Sequence, residues 1–172
     1  LVAIGQLVSL ISSCVINKSI LSNINAEEFC GGNLVQVHLV IQAALLGSIS
    51  LYTKNYYVAC KRNNSGGYDF IKVFVEELSQ ILDLYKSLGL TSRSINAFET
   101  HLLLGYFPDY LLRQRLLRTG DQVANMSRLK KRFGKRWLFH ICLAPILYLP
   151  RSLAIFWGGV VTFLGRVWYG DF

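Results

Sequence analysis

The spacing of apolar residues predicts helices along most of this chain. Residues 68–88 repeat apolar side chains at intervals of three and four, with charged residues between them, which is typical of an amphipathic helix. Gly89 is placed to end it. Three further helices are predicted over about residues 94–106, ending before Pro108, then 109–120 and 121–133. Strand-type alternation is weak everywhere, so the predicted fold class is all-α.

The last of these helices is predicted to bury one face. Val123, Met126, Leu129 and Phe133 lie opposite its basic residues, as the core-facing side chains of an amphipathic helix do.

Three apolar segments predict contact with a membrane. Residues 34–53 belong to a stretch without formal charge and are a candidate membrane-spanning helix. Residues 1–17 are also uncharged, but they are short for a span, and a buried core helix is an equal alternative. Residues 137–165 carry one formal charge, and Pro145 and Pro150 divide them. This third segment is either one kinked span, which we favour, or a hairpin on the membrane face.

Composition agrees with a membrane protein. Hydrophobic residues make up 52% of the 172 residues and charged residues only 16%, whereas soluble domains are about a quarter charged. We therefore expect an all-α integral membrane protein with two or three transmembrane helices. An amphipathic helical module is expected to face the inner side.

The positive charge is concentrated immediately before the third apolar segment. Residues 113–136 hold a single acid, Asp121, and their net charge equals the +8 of the whole chain. The basic residues are Arg113, Arg115, Arg118, Arg128, Lys130, Lys131, Arg132, Lys135 and Arg136. This cluster is expected to bind anionic lipid and fix topology, or to dock on acidic neighbouring subunits. Nucleic acid is disfavoured, because Phe133 is the only aromatic residue there for base stacking.

Charge and hydropathy together predict three regions. Residues 1–53 form an N-terminal membrane region, residues 54–136 a basic helical module, and residues 137–172 a C-terminal kinked or hairpin membrane segment. The flanks after residue 53 and before residue 137 are both basic, which predicts that both lie on the inner side of the membrane.

A few polar and small residues within apolar segments are candidate functional positions. Arg151, His140 and His38 are expected to need protein or headgroup partners, because charge is costly in hydrocarbon. Arg151 together with His140 suggests an ion pathway, although the adjacent Pro150 favours placing Arg151 at a turn at headgroup depth. Gly158, Gly159 and Gly165 form a small-residue patch suited to close helix packing.

No catalytic motif is present in the sequence. It contains no nucleophile elbow, phosphate-binding glycine loop or nucleotide fingerprint. Its three histidines are too scattered to predict a metal site, and Cys14, Cys30, Cys60 and Cys142 are expected to be free structural thiols. We expect no enzyme activity and no cofactor apart from bound anionic phospholipid.

One short segment resembles a known family. The run LPRSLAIFWGGVVTFLGRVW, residues 149–168, resembles the closing hydrophobic segment of peroxin-11-type membrane-elongating proteins. That resemblance implies membrane shaping through amphipathic helices.

Three functions therefore stand as hypotheses. The first is a non-catalytic accessory subunit of a multiprotein membrane complex, such as a respiratory or ATP synthase complex of the mitochondrial inner membrane, with other membrane subunits and anionic lipids as partners. The second is a membrane-shaping or lipid-binding protein, and the third is a small channel or transporter using Arg151 and His140.

Overall fold

The all-α prediction is confirmed. A computed structural model describes residues 15–21, 25–47 and 69–169, of which 81% are helical and none lie in a strand. Most of the first predicted apolar segment, part of the second, and Cys14 and Cys60 lie outside these residues. The chain divides into two compact units, Leu1–Ile95 and Asn96–Phe172. The three regions predicted from charge remain a prediction.

In the first unit, two helices pack together around an apolar core. Short helix α1 (Lys18–Leu21) and a 3₁₀ turn (Ala26–Phe29) precede α2 (Val35–Leu46). A π-helical turn (Lys72–Glu77) continues directly into α3 (Leu78–Ser87). The buried side chains of α2 are Val37 and Ile41, and those of α3 are Leu78, Ile81, Leu82 and Tyr85.

The amphipathic helix predicted over residues 68–88 is confirmed for residues 70–87, and so is its end at Gly89. Gly89 adopts a positive φ of 112°, and the Leu90 amide donates to the Tyr85 carbonyl at 2.8 Å. This is the six-residue hydrogen bond of a Schellman cap, which needs a left-handed residue that glycine adopts at little cost.

The second unit begins with a helix that passes through a proline. Helix α4 (Ser92–His101), which contains the boundary between the units, leads through a π-helical turn (Leu102–Tyr106) into α5 (Phe107–Leu117). The predicted end before Pro108 is therefore wrong. In an α-helix the Pro108 ring would clash with the carbonyl of Leu104. The π-turn relieves this clash by shifting the hydrogen bonding, as the Phe107 amide bonding to the Leu102 carbonyl shows.

Helix α6 (Gln122–Phe133) matches its predicted bounds. Asp121 caps its N-terminus by accepting hydrogen bonds from the amides of Val123 and Ala124, both at 3.0 Å. Met126, Leu129 and Phe133 are buried as predicted, but Val123 is 81% exposed. That part of the predicted core face is wrong, because Val123 lies in the first turn, beside the cap, and its side chain faces solvent.

The C-terminal segment is a helical hairpin, so the favoured kinked span is wrong. A π-turn (Phe139–Leu143) and α7 (Ala144–Tyr148) form the first arm, and α8 (Arg151–Tyr169) forms the second. Leu149 is extended, with ψ of 154°, because the residue before a proline disfavours the α conformation. The chain therefore reverses at Leu149–Pro150, and α7 packs on α8.

Among the described residues, no helix combines the length and hydropathy needed to cross a membrane. Within the second predicted span, α2 has 12 residues, and about 20 are needed.

Candidate functional site

Two prolines shape the hairpin and position an aromatic side chain. Both π-turns of the second unit end two residues before a proline, Pro108 or Pro145. Because Pro145 has no amide hydrogen, the Ile141 carbonyl lacks its usual helical donor. The indole Nε1 of Trp157, on α8, donates to that carbonyl at 2.8 Å. The hydrogen bond ties the two arms of the hairpin together and fixes the orientation of the indole.

Helix α8 packs antiparallel to α5 through small residues. Arg151 bonds to the end of α5, Gly158 lies against Leu112 in its middle, and Gly165 lies against Leu104 before its start. A methyl group added at Gly165 would be 3.0 Å from the Leu104 carbonyl carbon and closer still to its oxygen. Only glycine allows this backbone approach. Gly159 differs from the other two, because an added methyl group there meets no atom within 4 Å.

The outward side of α8 carries large apolar side chains. Phe156 is 69% exposed and Trp168 79%. We call this surface the outer face of α8; it consists of Leu153, Phe156, Phe163, Leu164, Val167 and Trp168. The buried residues of α8 are Ala154, Gly158, Val161, Thr162 and Gly165. This arrangement is the reverse of a surface helix in water, which buries its large apolar residues.

The first arm of the hairpin also exposes apolar side chains. Trp137, Ile141 and Tyr148 are exposed, and their spacing of four and seven places them on one side of the helix. A groove of about 420 Å³ runs along the hairpin. We call it the hairpin groove; its lining is His140, Ala144, Pro145, Tyr148, Leu149 and Trp157.

The nine basic residues do not act as one cluster. Arg115 donates from Nε to the Ile146 carbonyl at 2.8 Å and from Nη2 to the Leu147 carbonyl, and so caps the end of α7. Arg113 pairs with Asp109 at 2.9 Å. Arg118 adopts the left-handed conformation that ends α5. Arg128 lies half-buried on α6.

Two other basic residues are bound to a buried carboxylate. Arg132 donates from Nε and Nη2 to Oε1 of Glu99, at 3.0 and 2.7 Å. Arg136 donates from Nη1 to Oε2 at 2.5 Å and from Nη2 to the Thr100 hydroxyl at 2.8 Å. The Glu99 side chain is 9% exposed. This ion-pair cluster fastens the end of α6 to α4.

Glu99 was not among the residues predicted from the sequence, although a signal was present. Glu99 lies beside Phe98, and the large apolar residues on either side of it, Ile95, Phe98 and Leu102, are buried. An acid at a core position requires a cationic partner, because a buried unpaired charge is very costly.

Three lysines at the end of α6 present positive charge to solvent. Lys130, Lys131 and Lys135 are exposed, and none of them forms an ion pair with the residues that the structure describes. They surround the turn that leads from α6 into the hairpin. His140, which lines the hairpin groove, donates from Nε2 to the Gly134 carbonyl at 2.8 Å. We call residues 134–136, together with Lys130 and Lys131, the basic turn. The hydrogen bond of His140 joins it to one end of the groove.

The structure does not place Arg151 and His140 on a common path. Arg151 donates from Nε to the Arg115 carbonyl and from Nη2 to the Leu116 carbonyl, both at 3.1 Å. It thus caps the end of α5, as cationic side chains often do at helix C-termini, whereas His140 bonds at the end of α6. The ion pathway inferred from their positions in the sequence gains no support from this geometry.

In the first unit, His38 lies between two aromatic rings. It stacks on Phe29 with ring centroids 4.1 Å apart, and its Nδ1 lies 3.2 Å from the Tyr85 hydroxyl. Burial lowers the pKa of His38 and raises that of Tyr85, whose hydroxyl also bonds to Gln42. His38 is therefore part of the contact between α2 and α3.

This lowered pKa predicts a pH dependence of stability. Unfolded His38 gains a proton near pH 6.5, while the folded protein does so only at lower pH. The unfolded state therefore binds more protons in that interval, and the free energy of unfolding falls as the pH drops below 6.5. Denaturant unfolding at pH 7.5 and 5.5 would measure the fall. In the His38→Gln variant this fall should be smaller. A fall equal to that of the wild type would contradict its assignment to His38.

Among the described residues, no group of histidine, cysteine or acidic side chains is arranged to hold a metal ion. No protein-family model matches this chain, and no curated protein or solved structure matches it. The resemblance of residues 149–168 to peroxin-11-type proteins stays a prediction.

Proposed function

We propose that this protein is a non-catalytic, membrane-bound subunit that inserts the outer face of α8 into the hydrocarbon edge of a bilayer. The observation that carries the proposal is the reversed packing of α8, with small residues inside and Phe156, Phe163 and Trp168 outside. Helices packed in lipid use small residues at their contacts, because lipid chains solvate large apolar side chains well. Exposed apolar patches of this kind mark interaction surfaces.

The geometry favours a hairpin that lies along the membrane surface. Between Arg151 and Arg166, α8 has 14 uncharged residues, which extend about 21 Å, less than the roughly 30 Å of a hydrocarbon core. Cations at both ends of such a segment reach the headgroups while the apolar side is embedded. The sequence also predicts two or three membrane-spanning helices, but an insertion of this kind does not require them.

Vesicle flotation of the full chain tests the membrane contact. Replacing two phenylalanines of the outer face, Phe156→Glu together with Phe163→Glu, should weaken binding by about a hundredfold or more. Each buried phenylalanine contributes about 1.5–3 kcal/mol, and the introduced carboxylates oppose insertion. The matched control is Leu117→Glu with Val123→Glu, which changes charge equally at exposed apolar residues of α5 and α6. Equal losses in the two variants would reject the proposal.

The subunit role is tested separately, by native mass after gentle detergent extraction from the source membrane. Co-migration with other membrane proteins supports an accessory subunit, and those proteins would identify the complex. Migration as a single chain, with tubulation of vesicles by the pure protein, would favour membrane shaping. That second candidate rests on the shallow insertion inferred for α8, since shallow wedges bend bilayers.

A further inference from the structure

We infer that the hairpin groove and the adjoining basic turn together bind one anionic phospholipid. In this arrangement an acyl chain lies in the groove and the phosphate contacts Lys131 and Lys135. The inference rests on the proposed membrane contact of the hairpin and adds a specific ligand to it.

The groove suits an acyl chain in both shape and chemistry. Its lining is apolar apart from His140 and the hydroxyl of Tyr148. It is an open groove of about 420 Å³ rather than an enclosed pocket, so a flexible chain can lie along it. Trp157 is held against the groove by its hydrogen bond to Ile141, so this wall is fixed before a ligand enters.

The positive charge beside the hairpin groove indicates which kind of headgroup would bind there. The neighbouring Arg132 and Arg136 share the single carboxylate of Glu99, so the cluster keeps a net charge of +1, but both guanidinium groups are already engaged in hydrogen bonds within it. Lys130, Lys131 and Lys135 have no such partner among the described residues, and their charge faces solvent. Gly134 lies within this turn, and its carbonyl bonds to His140 of the groove. An amphiphile whose chain occupies the groove therefore has its head beside uncompensated positive charge, which selects an anionic headgroup over a zwitterionic one.

Fluorescence quenching of Trp157 tests the inference. The full chain with Trp137→Phe and Trp168→Phe retains Trp157 as its only tryptophan. It is added to vesicles that contain a small fraction of acyl-brominated phosphatidylglycerol or, in the parallel sample, the same fraction of acyl-brominated phosphatidylcholine. We expect several-fold stronger quenching by the brominated phosphatidylglycerol.

The preference should depend on the basic turn. Lys131→Gln with Lys135→Gln should remove most of it, since each lysine near a membrane surface is worth about fivefold in affinity. The matched control is Lys72→Gln with Lys86→Gln, which removes two exposed lysines of the first unit and should leave the preference unchanged. Ala144→Phe, which fills the groove without changing charge, should lower quenching by both lipids while the helical circular dichroism is retained.

The outcomes separate this inference from the proposed function. Equal quenching by the two brominated lipids would overturn the phospholipid site but leave the membrane contact intact. Quenching by neither lipid, in a variant with native helical content, would overturn both. A preference that survives the loss of Lys131 and Lys135 would also overturn the headgroup assignment.

Discussion

Replacing Gly165 with alanine is expected to destabilise the second unit by about 3 kcal/mol. The added methyl group would press on the backbone carbonyl of Leu104 and lie 3.4 Å from the Gly105 Cα. A side chain can change rotamer to relieve overpacking, but this neighbour is main chain. The cost should therefore reach the upper part of the usual range for overpacking, about 1–3 kcal/mol. Denaturant unfolding followed by helical circular dichroism measures it.

The control for this experiment lies in the same helix. Gly159→Ala makes the same chemical change where no atom is within 4 Å of the new methyl group. Because alanine favours the helix over glycine, this variant should be as stable as the wild type, or more stable by up to about 1 kcal/mol. If both substitutions had the same effect, the close packing of α8 on the turn before α5 would be refuted.

Removing the Glu99 carboxylate is the second change with a large expected effect. Glu99→Ala leaves Arg132 and Arg136 partly buried without their counter-ion. Loss of one partner from a buried ion pair costs about 3–5 kcal/mol. We expect the lower end, about 3 kcal/mol, because the two arginine side chains are 24% and 23% exposed and water screens part of the charge. Thermal and denaturant unfolding of the variant would test this.

Asp109 provides a matched control for Glu99. It also pairs with two arginines, Arg113 at 2.9 Å and Arg166 at 3.4 Å, but its side chain is 30% exposed and those of the arginines are 67% and 52% exposed. Exposed pairs contribute about 0–1 kcal/mol, so Asp109→Ala should be mild, and high salt should reduce its effect. Glu99→Gln keeps the shape of the side chain and removes its charge. This variant should therefore lose most of the stability that Glu99→Ala loses. A mild effect of Glu99→Ala would show that the cluster does not hold α6 to α4.

The local pattern of apolar and polar residues was enough to predict most helices. The amphipathic repeat before Gly89 and the Asp121 cap both depend on neighbours within a few residues. The continuation through Pro108 was not predictable in this way. Pro108 alone predicts a helix end, and the π-turn that allows passage packs its backbone against Gly165 of α8, a residue distant in the sequence.

The candidate site was predicted in part. The apolar C-terminal segment and the basic stretch before it were visible in the sequence, since both are properties of composition. The hydrogen-bond partners of the individual arginines were not visible in the sequence. Arg115, Arg132 and Arg136 each bond to groups 31 to 40 residues away. The charge of a stretch can be summed from its letters, but the partners of each charge depend on how distant helices pack.

The sequence by itself determined that this protein is all-α, that its net positive charge lies in one stretch, and that a long apolar segment follows that stretch. Those features arise from side-chain periodicity and content. The tertiary structure decided that this segment folds back as a hairpin, that its small residues face inward and its large ones outward, and that Arg132 and Arg136 share Glu99 while three lysines near the end of α6 face solvent. Hydrophobicity alone would have turned the large apolar side chains of α8 inward, as in a surface helix in water. The close approach of Gly158 and Gly165 to neighbouring helices reverses this, because only small residues fit there.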